Sequence, residues 1–389
     1  MASSLAMALV VAHGEPAVEA TLRLSEPFRE GVSLLWSPTG QDAWDHLKAY
    51  HGVKSLELEP RSETSEELDD FVWNPKGTLP SDSFCMAGEF TKEFGNEIRD
   101  ALAKMIGKQA AAFIEEPPPL GSIPGSIFIR EKAAIIVSAL VARPKFAGSF
   151  QPHPRPRMFS LGPARSHSTL GFGVEGLWAG KMGEGIRVLQ DDMNGSIVVE
   201  VLLFTGSNDD AQRMVLAMDS QITSMKTGIE VIRKAKANAI APSRTVESQG
   251  ARWQYISTLT SVDQFWMPEV RAAVQCEFGD LSGKTYLHTR RGFDDHRWWT
   301  LRSVQQLLSL KLDHRGALVE AVFKLPADFT SIAGEPHAPT PKGQQPIALP
   351  VYPKRLLFNR PFLMTLWRAK ADWPYLAFWV ASDGVMRAD

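Results

Sequence analysis

Cysteine is nearly missing from this chain, with only Cys85 and Cys276 in 389 residues. Two thiols are too few for a disulfide framework and form no metal-type cluster, which excludes a bridge-stapled scaffold and leaves the redox compartment open. No apolar run approaches the roughly 20 residues that a bilayer-spanning helix requires. A charge of one sign is lacking too: the formal net charge is −2. That balance invites neither nucleic acid nor an anionic membrane. Catalytic signatures are equally scarce. No serine sits in a G-x-S-x-G elbow. His46 and His51, like His288 and His296, lack the spacing and the neighbouring Glu of a zinc helix. Glu115-Glu116 and Asp294-Asp295 are adjacent in sequence and so face different ways, which is wrong for an acid–base pair. Gly171 to Gly176 match G-x-G-x-x-G, but Gly180, Gly183 and Gly185 follow where a phosphate-binding helix would have to start, so the segment reads as turns. No enzyme, cofactor or metal site is expected.

What is present is a long chain, 44% hydrophobic, able to bury a substantial core. Ala43 to Tyr50 carry bulky residues at helical spacing and stop at Gly52, after which Val53 to Leu58 alternate as a strand would. The acidic run from Ser62 to Asp70 and the Asn74-Pro75-Lys76-Gly77 that follows read as solvated surface. Phe94, Ile98, Ala101, Leu102 and Met105 share one face of a helix that ends near Gly107. Ala133 to Val141 form a continuous apolar run, as in a central strand covered on both faces. Ile197 to Phe204 read as a buried strand and Ser207 to Asp210 as its polar turn. Residues 211–233 read as helical, and Trp298 to Leu312 as one further strand. Glu115-Glu116-Pro117-Pro118-Pro119 is a breaker inside a single unit rather than a linker. Asn194-Gly195-Ser196 is a glycosylation sequon, relevant only in the secretory pathway.

The end of the chain is the most telling part. Phe358-Asn359-Arg360-Pro361-Phe362-Leu363 runs into an apolar strand, a turn at Lys370-Ala371-Asp372 and a second strand, Tyr375 to Val380. This resembles the C-terminal strands of the serpins. Leu310 to Ala317 resemble that family's hinge, an alternating strand that ends in charged residues, a glycine and a small residue. The order of elements upstream is also similar. Ser3 to Glu15 resemble a buried early serpin helix; alternatively, Leu5 to Ala12 are the core of a signal peptide with Val18-Glu19-Ala20 as its cleavage site. On either reading the family's first helix is missing, so the chain is expected to be a shortened member or to begin late.

The resemblance implies a mechanism to be tested against the residues. An inhibitory serpin keeps its reactive loop outside a metastable sheet. Cleavage lets the hinge enter as a new central strand and drags the acylated protease along before it can deacylate. Entry buries alternate side chains, and misfits cost about 1–3 kcal/mol each. Here the hinge reads Arg315, Gly316, Ala317, with Val319, Ala321 and Phe323 on the same inward face and Leu318 and Glu320 outward. That set is bulky, and slow insertion is expected. Arg315 stands where the family carries an acidic residue. Ser138 and Gln306 align with the shutter Asn and His under the sheet, and Phe146 aligns with the breach Trp. Pro361 lies 45 positions beyond Gly316, and the stretch between them is punctuated by prolines at 326, 336, 339, 341, 346, 350 and 353. A proline-rich segment cannot pair as an ordinary strand beyond Pro326. Lys324, Lys342, Lys354 and Arg355 are the basic residues this loop offers as protease bait.

The expectation is therefore an α+β, serpin-like protein: a large central β-sheet, a second barrel-like sheet, several helices and an exposed reactive-centre-like loop at about 317–355, all in one domain spanning 1–389. Its expected function is a non-inhibitory binding or modulatory one, with a suicide-substrate inhibitor of a serine protease as the alternative. The expected partner is a protein or protease met through the loop, with no nucleic acid and no membrane. The chain is expected to be soluble, and extracellular rather than intracellular.

Overall fold

The structure is a computed structural model. It describes residues 18–327 and 352–387, apart from 119–120, 123–128, 131–132, 163–164, 182–184, 193–194, 205–210, 240–242, 249–250 and 290–295. The early helix or signal peptide, the turn at 207–210, Asn194 of the sequon and Lys342 lie outside the described residues.

The principal elements, in chain order, are β1 (Val18–Thr21), β2 (Ser33–Trp36), α1 (Thr39–His51), α2 (Glu63–Asp70), β3 (Ser83–Glu89), α3 (Lys92–Met105), β4 (Ala134–Ala142), β5 (Lys145–Phe146), β6 (Gly171–Glu175), β7 (Ile186–Asp191), β8 (Ile197–Phe204), β9 (Gln212–Met218), α4 (Met225–Ala237), β10 (Gln264–Pro268), β11 (Val270–Glu277), β12 (Gln305–Asp313), β13 (Gly316–Ala327), β14 (Arg355–Leu357), β15 (Phe362–Arg368) and β16 (Leu376–Val380). One large sheet has two wings. The first runs β3-β4-β13-β12-β11, and the second β1-β2-β16-β15-β9-β8 with β7 on β8. The short β5 joins them, pairing Lys145 with Gly316 on one side and Phe146 with Leu203 on the other. A second sheet contains β14, β10 and β6. No helix among the described residues is long and apolar enough to cross a membrane.

Helix α1 forms where its periodicity predicts, ending in a left-handed Gly52. It buries Ala43, Trp44 and Leu47 against Ile136, Phe323 and Leu325 on one face of the first wing. On the opposite face α3 buries Ile98 and Leu102 against Ile135, Val137, Ala139 and Val322. Strand β4 is thus covered on both sides, which explains its unbroken apolar run.

Several sequence expectations change. The strand after α1 shrinks to Leu58–Glu59. The acidic run is helical: α2 is capped by Ser62, whose side chain accepts from the Ser65 N–H, and it buries Thr64, Ser65 and Leu68. A short helix, Pro75–Thr78, follows it. The span 211–233 divides into β9 and α4, with a capping box between Ser224 and Thr227 starting the helix. Trp298 to Leu312 is two strands, His296–Thr300 and β12. The glycine motif is strand β6, because a Cβ on Gly171 or Gly173 would lie 2.4 Å or 2.0 Å from carbonyl oxygens of β10. Gly171 and Gly173 serve close strand approach, whereas Gly176, with φ +58°, does sit in a turn.

The largest correction concerns the loop at about 317–355. Its first part is not exposed: Gly316–Ala327 is the central strand β13, antiparallel to both β12 and β4.

Candidate loop-insertion site

Strands β12 and β13 form a hairpin around His314 and Arg315. Asp313 organises the turn by accepting from the Arg315 N–H at 2.9 Å and pairing with Lys311 at 3.0 Å. These contacts hold its carboxyl below the usual carboxylate range against the opposing effect of burial. Arg315 points to solvent. Gly316 has φ +144°, and an added Cβ would stand 2.2 Å from the Pro144 oxygen, so a glycine is required where the strand leaves the turn and passes β5.

The inward face is the one expected. Val319, Ala321, Phe323 and Leu325 are fully buried and Ala317 nearly so, while Leu318 and Glu320 are half-buried. Val322, on the opposite face, is covered by the α3 cluster. Despite its bulk, Phe323 is fully buried in the cluster beneath α1. Gly40 in the first turn of α1 lies beside it: a Cβ there would meet Leu22 at 2.3 Å but the Phe323 ring only at an ordinary contact distance of 3.4 Å, so the glycine is needed for the approach to Leu22. Truncating Phe323→Ala should cost about 3–5 kcal/mol, as a large cavity between α1 and the sheet does. Equilibrium unfolding in denaturant measures it, and a loss under about 1 kcal/mol would show that the strand does not lie packed in its slot.

Phe323 belongs to one row across the wing. Cys85 pairs with Ser138, Ser138 with Phe323, Phe323 with Gln306, and Gln306 with Cys276. The start of α1 lies over this row. Ser138 Oγ donates to Asp42 Oδ2 at 2.6 Å, and Gln306 Nε2 donates to Thr39 Oγ1 at 3.1 Å. Ser138 and Gln306 thus both fasten helix to sheet, one on either side of β13. Burial pushes the Asp42 carboxyl up, against the Ser138 hydrogen bond that favours its charge. Gln306 Oε1 is buried without a partner. Phe146 packs with Phe150 and Phe172 at the junction of the two wings, with ring centroids 4.5 and 5.5 Å away.

The bait residues separate differently. Lys324 is buried in β13, its Nζ 3.0 Å from Glu115 Oε1 and 3.4 Å from the Phe113 oxygen. Lys354 is fully buried as well. Its Nζ lies 2.6 Å from Asp263 Oδ2, and its N–H donates to Asp263 Oδ1 at 2.7 Å. Neither presents a side chain to a protease. Among the described bait residues only Arg355 has an exposed side chain, on a strand paired in parallel with β10.

Sequence reasoning missed Asp42, Thr39 and Asp263. It also gave Cys85 no metal-type neighbours, whereas the structure brings Asp42, His46 and Cys85 ligand atoms within 4.8 Å of one another. The i, i+4 spacing of Asp42 and His46 on α1 was the available signal.

No protein-family model matches the chain, and no curated protein matches it in sequence. Solved structures do match. "Cleaved Serpin 42Da" aligns over 90% of this chain and 91% of its own at 12% identity, with a TM-score of 0.50. A second structure of the cleaved protein covers 92% and 91% at 12% identity (TM-score 0.48), and a loop C-sheet serpin polymer covers 92% and 91% at 10% identity (TM-score 0.46). With the first of these matches, the two-winged sheet and the C-terminal strand pair, the chain has the serpin fold.

Proposed function

We propose that this chain is a serpin-fold binding or modulatory protein that does not trap proteases. The observation supporting this is β13: in an uncut chain, the strand that a trap would hold in reserve already fills the slot between β4 and β12. Trapping draws on the free energy released when that strand enters after cleavage. With Val319, Ala321, Phe323 and Leu325 already buried, cleavage has little left to release.

Chain length supports the reading. Twenty-seven residues separate Ala327 from Arg355. Extended, they reach about 90 Å, against about 40 Å for the twelve-residue strand. The chain can therefore fill the slot and still return to place β14 on β10 without being cut. The proline-rich sequence between those strands is then the segment left for a protein partner, outside the cell.

The alternating burial of β13 also gives the inhibitor reading its one specific support, because an insertable strand is what a trap needs. Mixing the protein with trypsin-like, chymotrypsin-like and elastase-like proteases separates the two. The expected result is cleavage or no reaction, with no complex that survives SDS. A covalent one-to-one complex with any of them, held by the acyl-enzyme ester, would overturn the proposal.

A further inference from the structure

We propose that Asp42, His46 and Cys85 form a binding site for a thiophilic divalent cation, with Zn²⁺ as the ion of best fit. The site goes beyond the loop reading and does not depend on it. Asp42 and His46 lie one turn apart on α1, and Cys85 comes from β3, so the ligands span the contact between helix and sheet. They offer one oxygen, one nitrogen and one sulfur, all within 4.8 Å of each other. Zinc takes such ligands at about 2.0–2.3 Å in a tetrahedron, which sets them about 3.3–3.7 Å apart. His46 Nδ1 and Asp42 Oδ1 already stand at 3.6 Å. Closing the rest takes about an ångström of side-chain movement.

The surroundings suit an ion. The two carboxylate oxygens of Asp42 are divided: Oδ1 faces His46, and Oδ2 accepts from Ser138 Oγ at 2.6 Å, the kind of outer contact that fixes a ligating carboxylate. Asp42 is buried whereas the His46 side chain is 45% exposed, which gives an entry path and room for a water as fourth ligand. His46 Nδ1 now lies 2.8 Å from the Asp42 carbonyl oxygen, and binding exchanges that contact for the metal. Cys85 binds as the thiolate, its proton leaving to solvent as the sulfur–metal bond forms. In the resting protein, burial and the Asp42 charge push this thiol up, so it stays protonated until an ion arrives. Because Ser138 pairs with Phe323, an ion here pins α1 beside the inserted strand.

The test uses the tag-free full chain and Co²⁺, whose thiolate complex absorbs in the near ultraviolet. One Co²⁺ per chain should bind with a thiolate charge-transfer band, and Zn²⁺ should abolish the band by competition. Cys85→Ser should remove the band, His46→Ala should weaken binding at least about tenfold, and Ser138→Ala should weaken it about 10–100-fold. Cys276→Ser, which changes the other cysteine, should leave band and affinity unchanged. Circular dichroism of each metal-free variant checks that it folds. Co²⁺ binding weaker than about 1 mM by the folded wild type, or a band that survives Cys85→Ser, would overturn the site.

Discussion

A single cut between Pro336 and Pro350 should leave the melting temperature within about 5 °C of the intact value. In a protein of this size, each kcal/mol moves the midpoint by only about 2–4 °C or less, so a small shift means little new burial. The reason is that β13 has already made its contacts. Val319, Ala321, Phe323 and Leu325 lie under α1 and the main core, Val322 lies under α3, and the backbone is paired on both sides. Calorimetry of intact and nicked protein checks this. A gain of about 20 °C or more would mean that the strand enters only after cleavage, and the non-inhibitory reading would fall with it. Trypsin supplies a second readout: the bond after Lys324, buried inside the sheet, should resist under conditions that nick elsewhere.

Much of the wing that carries the site was legible locally. Trp44 and Leu47 repeat at helical spacing before Gly52, Phe94, Ile98 and Leu102 do so before Gly107, and the run from Ala133 to Val141 is of the kind a doubly covered strand shows. The inward set of β13 was legible as well, because alternation alone fixes which side chains share a face. Whether that face is in the sheet or outside it was not. Occupancy depends on the gap between β4 and β12, strands some 170 residues apart. The division of 211–233 was missed for a different reason. Strand β9 is fully apolar from Met214 to Met218, so no period separates it from the helix that follows, and the Ser224–Thr227 box marks the boundary. Asp42 was missed because its partner Ser138 lies 96 residues away.

The other large effect is expected at Asp263 and Lys354, which hold the return strand. Both side chains are fully buried, and their charges meet at 2.6 Å. The Asp263 carboxylate also accepts from the Lys354 N–H, from the Thr260 N–H at 2.6 Å and from Thr260 Oγ1 at 2.9 Å. The Lys354 ammonium lies 5.3 Å from the centre of the Tyr255 ring. Such a pair need not be worth more than an apolar one of the same shape, but breaking it strands a charge in the interior. Asp263→Ala should therefore cost about 3–5 kcal/mol, a large part of the roughly 5–15 kcal/mol that holds a typical protein folded. It should also speed hydrogen exchange at Arg355 to Leu357, because the Gln264 N–H donates to the Lys354 oxygen at 2.9 Å where β14 begins, and β14 rests on β10 through only three paired residues. Replacing both members, Asp263→Leu with Lys354→Met, should recover the part of the loss that the stranded ammonium causes, while the Lys354 and Thr260 N–H groups still lack their acceptor. Denaturant unfolding of the single and double variants measures both expectations. If Asp263→Ala costs less than about 1 kcal/mol, or the double variant is no better than the single, the pair does not clamp the strand. In that case β14 would be free to leave β10, and the uncut chain would owe its filled slot to the length of the return segment alone.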